Sequence, residues 1–117
     1  MTEAEMDAVI MAFPMVEKGL SYRQPSYLLN GKFFTRLRGE DASLVLLEVS
    51  FDEREMLMEA EPQTFHLTPH YKDYPSVLAR LETVDPGTVR SLLERRWRQV
   101  APKTFLKAYD ASGRAAG

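Results

Sequence analysis

The chain has 117 residues and a mass of 13.4 kDa, which is enough for one hydrophobic core and one domain. Hydrophobic residues make up 44% and charged residues 27%. That is too apolar for a disordered chain, and the absence of cysteine excludes disulfide scaffolds and thiolate metal sites. A formal net charge of -2 argues against a strongly basic nucleic-acid protein, but the charge is unevenly placed. Residues 1–62 hold 6 basic and 12 acidic side chains, and residues 63–117 hold 9 basic and 5 acidic, so a basic face is compatible with the acidic total.

The first element is a helix. Thr2 and Glu5 form a capping-box pattern, and Met6, Val9, Ile10 and Phe13 recur on one helical face before Pro14 ends it. The start carries no basic, apolar leader and no run approaches a membrane span, so a cytoplasmic location away from membranes is expected. Strands are predicted at Ser26–Leu29 and Lys32–Arg38, joined by Asn30-Gly31, a pair suited to the two positive φ angles of a type I′ turn. Strict alternation puts Phe33, Thr35 and Leu37 on one face of the second strand and Phe34, Arg36 and Arg38 on the other. Leu44–Val49 is nearly all apolar and reads as a central strand. Asp52 and Glu55 are expected to start a short helix ending at Ala60, before Pro62. Two more strands, Thr64–Thr68 and Ser76–Val84, flank an aromatic loop, His70–Pro75. Asp85-Pro86 is an N-cap followed by proline at the first helical position. The helix it opens runs to about Ala101, and Pro102 opens a further helical turn.

Helices around hairpin-linked strands predict an α+β two-layer sandwich, with an antiparallel sheet of about five strands covered by helices on one face. The expected organisation is a single domain over residues 1–109 with a flexible tail over 110–117.

Four constellations could carry chemistry. The stretch from Arg90 to Lys107 holds Arg90, Arg95, Arg96, Arg98, Lys103 and Lys107 against one acid, Glu94. Projected at about 100° per residue, Val89, Leu92, Leu93, Trp97 and Val100 form the apolar sector. Trp97 is thereby a core residue, and Arg96 falls among apolar positions, where it must snorkel or pair with an acid. Arg95 and Arg98 share the exposed side, as on any solvated helix with a basic C-terminal bias. The loop Thr68–Pro75 concentrates His70, Tyr71, Lys72, Asp73 and Tyr74. His70 suits acid–base work and the tyrosines suit stacking, or the rings simply lie over the sheet. Arg36 and Arg80 sit mid-strand and make an anion platform if they share a face, with His66 alternating onto the polar side. Asp52, Glu55 and Glu59 share one side of their helix, a pattern that a solvated helix explains more simply than a cation site. No phosphate loop, dinucleotide fingerprint, zinc helix or calcium loop is present.

Six stretches in order carry a resemblance. They are Leu20-Ser-Tyr-Arg-Gln-Pro25, Asn30-Gly-Lys-Phe-Phe-Thr-Arg-Leu37, Phe51-Asp-Glu-Arg-Glu55, Thr68-Pro-His-Tyr-Lys-Asp-Tyr-Pro75, Val77-Leu-Ala-Arg-Leu81 and Trp97-Arg-Gln-Val-Ala-Pro102. Together they resemble the MmcQ/YjbR family of small bacterial proteins, which is similar in fold to the CyaY (frataxin-like) sandwich. The resemblance implies sequence-tolerant DNA binding, and the expected role is a non-enzymatic binding module with no cofactor and no metal. On that reading Arg95, Arg98, Lys103 and Lys107 contact phosphates, and Arg36, Arg38 and Tyr71 extend the footprint. The alternatives are a ligand-binding or enzymatic pocket on the open sheet face, built from Arg36, His70, Tyr71 and Arg80, and a protein-interaction module. Sequence does not distinguish a monomer from a homodimer.

Overall fold

A computed structural model describes residues 1–112. The element order is α1 (Glu3–Met11), β1 (Val16–Ser21), β2 (Gln24–Leu29), β3 (Lys32–Thr35), β4 (Leu37–Arg38), β5 (Ser43–Leu47), α2 (Phe51–Ala60), β6 (Phe65–His66), β7 (Ser76–Arg80), α3 (Pro86–Val100) and α4 (Lys103–Ala111). All strand pairing is antiparallel, as β1-β2-β3 and as β4-β5-β7-β6. Only Arg36 separates β3 from β4, and its carbonyl accepts from the Val45 N–H at 3.0 Å. The two therefore form one bent strand that links the ladders, and the α+β sandwich expected from the pattern is what forms.

Local chemistry explains most boundaries. Thr2 and Glu5 cap α1 reciprocally at 2.8 and 3.0 Å. Asn30 and Gly31 have φ of 53° and 75°, the geometry that turn needs. Asp85 caps α3, with Pro86 at its start. Trp97 is 1% exposed in a cluster with Phe34, Leu46, Leu93, Met6 and Ile10. Its indole N–H donates to Pro14, and Phe105 and Tyr109 of α4 pack edge-on against it.

Four expectations need correction. Val16–Ser21 is a strand that the pattern did not predict. It pairs along its whole length with β2 through a two-residue turn, Tyr22-Arg23. The cap of α2 is Ser50, whose hydroxyl accepts from the Glu53 N–H, so the helix starts at Phe51 ahead of Asp52. The alternation in β3 fails because the register against β2 shifts between Tyr27 and Leu28. That bulge and the break at Arg36 put Phe33 and Arg36, three residues apart, on the same side. Finally, α4 is a full helix that reaches Ala111, so Asp110 is helical and holds Arg98 at 3.0 Å. Residues 113–117 of the expected tail lie outside the described residues. Among the described residues no helix is long and apolar enough to cross a membrane.

Candidate functional site

The sheet face turned away from the core is neither bare nor fully solvated. Val45 and Leu78 face each other across β5 and β7 and are wholly buried. The side chains of Arg36, Arg38 and His66 are only 14%, 13% and 16% exposed. The loop between β6 and β7 returns over this face, with the Tyr71 ring 5.9 Å from the Arg38 guanidinium carbon.

Between that loop and the β1–β2 hairpin lies a cleft of about 540 Å³. The hairpin supplies Tyr22, Gln24 and Ser26, and the bent strand supplies Phe33 and Arg36. The end of β5 adds Leu47 and Glu48, and the loop adds His70, Tyr71 and Tyr74. Three of the four residues expected to form a ligand pocket thus meet. Arg80 does not line the cleft, and its guanidinium donates to the Gln63 carbonyl. Phe33 and Leu47 face the cleft while their neighbours Phe34 and Leu46 belong to the core, so cleft and core lie on opposite sides of one sheet.

The loop is held from behind by a residue that sequence reasoning did not single out. Arg54, the one cation of α2, is 9% exposed. It donates to the carbonyls of Lys72 (3.0 Å), Tyr74 (2.9 Å) and Ser76 (3.3 Å), and its guanidinium carbon lies 4.6 Å from the Phe51 ring centre. Its signal was a lone arginine amid acids in Asp52-Glu-Arg-Glu55. The Ser76 hydroxyl ties the same loop to the Tyr71 carbonyl.

At the other end, Glu48 has a φ of 63°, a conformation that non-glycine residues adopt at a cost. Its carboxylate pairs with Arg96 at 2.9 Å, and its carbonyl accepts from Arg95. Arg96 also donates to the Phe33 carbonyl at 2.7 Å. The arginine expected at the core edge therefore does pair with an acid, and it fastens α3 to two strands of the cleft.

The residues expected to contact phosphate are spread over two sides of the molecule and largely engaged. Arg95 binds Glu53, which raises its pKa further. Arg98 is held by Asp110 and Glu94, again with its pKa raised. Arg36 pairs with Glu40, and Arg38 with Asp41 and Glu40. Lys103 and Lys107 lie exposed on α4, with no ion pair among the described residues. His66 shares a 2.8 Å contact with the Ser43 hydroxyl. Burial, then Arg80 and Arg38, push its pKa down against the pull of Asp41. His70 is packed edge-on against Tyr71 at 4.7 Å. Among the described residues no group of three or more His, Asp or Glu side chains is placed to hold a metal ion.

Fold and cleft define a small α+β domain built around an antiparallel sheet with one helix-covered face. The chain belongs to the YjbR family, whose model matches residues 11–99. It is similar to the uncharacterized protein Rv2570 of Mycobacterium tuberculosis and to the uncharacterized protein Mb2600 of Mycobacterium bovis. Each is 28% identical over 98 residues, covering 81% of this chain and 76% of the relative. No solved structure matches the chain.

Proposed function

We propose that this protein is a small-ligand-binding module whose ligand sits in the cleft between the β1–β2 hairpin and the His70–Pro75 loop. The observation that carries this reading is convergence. A concavity of about 540 Å³ is of the size that binds small molecules. Residues from four separate segments line it, among them the rings of Tyr22, Phe33, Tyr71 and Tyr74, with charged groups at Arg36 and Glu48. Binding fits better than catalysis. His70 has aromatic neighbours, but no hydrogen bond orients its ring toward an acid or a nucleophile among the described residues.

The DNA-binding reading implied by the family resemblance has less support. Four of the arginines assigned to phosphate already hold carboxylates, so a duplex would have to displace an anion at each. Its support is the exposed pair Lys103 and Lys107.

The test is a thermal-shift screen of drug-sized aromatic compounds on the native protein, with hits retested on Phe33→Ser. Hits that stabilise the native chain and not the variant support the cleft. Hits indifferent to Phe33→Ser overturn it. A labelled duplex titrated at two salt concentrations runs beside the screen. Micromolar binding at low salt, lost in Lys103→Ala/Lys107→Ala, would shift the function to nucleic acid.

A further inference from the structure

We infer that the cleft selects a planar aromatic carboxylate, and that Glu40 occupies the anion position of that ligand until it is displaced. This rests on the cleft being a ligand site and goes on to name what it holds.

Arg36 has donor capacity to spare. Its side chain is 14% exposed and lines the cleft. Both oxygens of Glu40 crowd onto one nitrogen, Nη2, each at 3.1 Å. Nη1 and Nε have no hydrogen-bond partner among the described residues, nor are they sealed from solvent without one. A guanidinium binds a carboxylate best as a fork, with two nitrogens donating in parallel to two oxygens. Either fork of Arg36 includes Nη2, so a ligand that fills it must take Nη2 from Glu40.

Glu40 is suited to yield. It is 56% exposed in the turn between β4 and β5, and ion pairs at that exposure contribute little. Arg38 sits 3.7 Å from the same carboxylate and keeps Asp41 as its own partner at 3.2 Å.

The remaining wall decides between an anion and a cation. Aromatic rings beside a carboxylate can also form a cage for an ammonium group. Here the carboxylate is Glu48, and Arg96 neutralises it at 2.9 Å. The cleft's remaining charge is Arg36, whose partner Glu40 is exposed, and the rings of Phe33, Tyr71 and Tyr74 line the same cleft.

The test is calorimetric titration of the native chain with 2-naphthoate, its neutral isostere 2-naphthamide and the cation 2-naphthylmethylammonium. The carboxylate should bind about tenfold or more tighter than the amide, the value of one charge-assisted pair. Arg36→Met should remove that preference and leave amide binding in place. Arg36→Lys, which keeps the charge without the fork, should retain part of the preference. Glu40→Gln should tighten naphthoate by about two- to fivefold, the value of an exposed ion pair, and leave the amide unchanged. Unfolding curves confirm that each variant is folded. Equal affinity for carboxylate and amide, or no gain in Glu40→Gln, overturns the inference while the cleft remains a binding site. Tightest binding of the ammonium compound replaces it with a cation cage. Failure of all three at millimolar concentration removes both the inference and the cleft reading beneath it.

Discussion

Strand β2 ends in two tight turns made of opposite materials. At one end, Asn30-Gly31 uses the two residues best suited to positive φ, and the space around Gly31 is open. At the other end, Tyr22-Arg23 makes the same two-residue reversal with φ of 51° and 65°. Neither residue favours that region, and Tyr22 is 97% exposed, so packing does not repay it. The difference follows position. Tyr22 lines the cleft of about 540 Å³ and Asn30-Gly31 does not, and Glu48, another residue at positive φ, lines it too. Positive φ is not confined to the cleft, since Met15, Arg23 and Ala42 adopt it away from the lining, but at Tyr22 and Glu48 it coincides with the cleft wall.

The contrast can be broken at the wall facing Tyr22. Arg54→Met leaves the carbonyls of Lys72, Tyr74 and Ser76 without their donor and should cost about 2–4 kcal/mol in denaturant unfolding. Protease cleavage should appear first between residues 68 and 75. A variant as stable as the parent would mean that Arg54 does not hold the loop.

Gly31→Val tests the relaxed turn. A β-branched residue at φ of 75° should cost about 1–2 kcal/mol, read as a lower melting temperature. No change would remove the type I′ assignment. Tyr22→Asn and Arg23→Gly test the strained turn in the other direction. Each should raise stability by about 0.5–1 kcal/mol. Tyr22→Asn should at the same time weaken ligands of the cleft, whereas Arg23→Gly should leave them nearly unchanged. A loss of stability in both variants would show that the turn is not strained.

The smallest effect lies outside both turns, at His66. Its folded pKa is below the ordinary 6.5, so the unfolded chain takes up the proton more readily. The resulting stability is complete above pH 6.5 and is lost as pH falls through the folded value. His66→Gln should flatten stability against pH below 6.5 relative to the native chain. Parallel curves would show that His66 is not the group responsible.

The same comparison shows what was legible in the sequence. Asn30-Gly31 announces its turn because its residues are chosen for backbone geometry. Tyr22-Arg23 announces nothing, and the strand before it, Val16-Glu-Lys-Gly-Leu-Ser21, has no β-branched alternation to reveal it. Helix α3 was legible down to Arg96, because one helical period sorts apolar from polar positions over 15 residues. In the cleft, His70, Tyr71 and Arg36 stood out by residue type. Their meeting with Phe33 depends on a bulge, which shifts which residues share a face and leaves no mark in an alternating pattern. Arg54 was hidden because its partners are backbone carbonyls 18 to 22 residues away, and carbonyls have no sequence signature.

Phe33 and Phe34 are neighbours in the chain with different surroundings. Phe33 faces the cleft, whereas Phe34 touches Phe13 at 5.7 Å, which in turn touches Trp97 at 6.1 Å. Substitution at position 33 therefore alters the cleft wall with little penalty to core packing, while truncation at 34 opens a void beside Phe13. On the ligand-binding proposal, preference can diverge among descendants of this fold while the architecture stays constant. Between this chain and relatives at 28% identity, positions 22, 33, 36, 71 and 74 should track the bound molecule, and positions 34, 46, 93 and 97 should track only the need to stay folded.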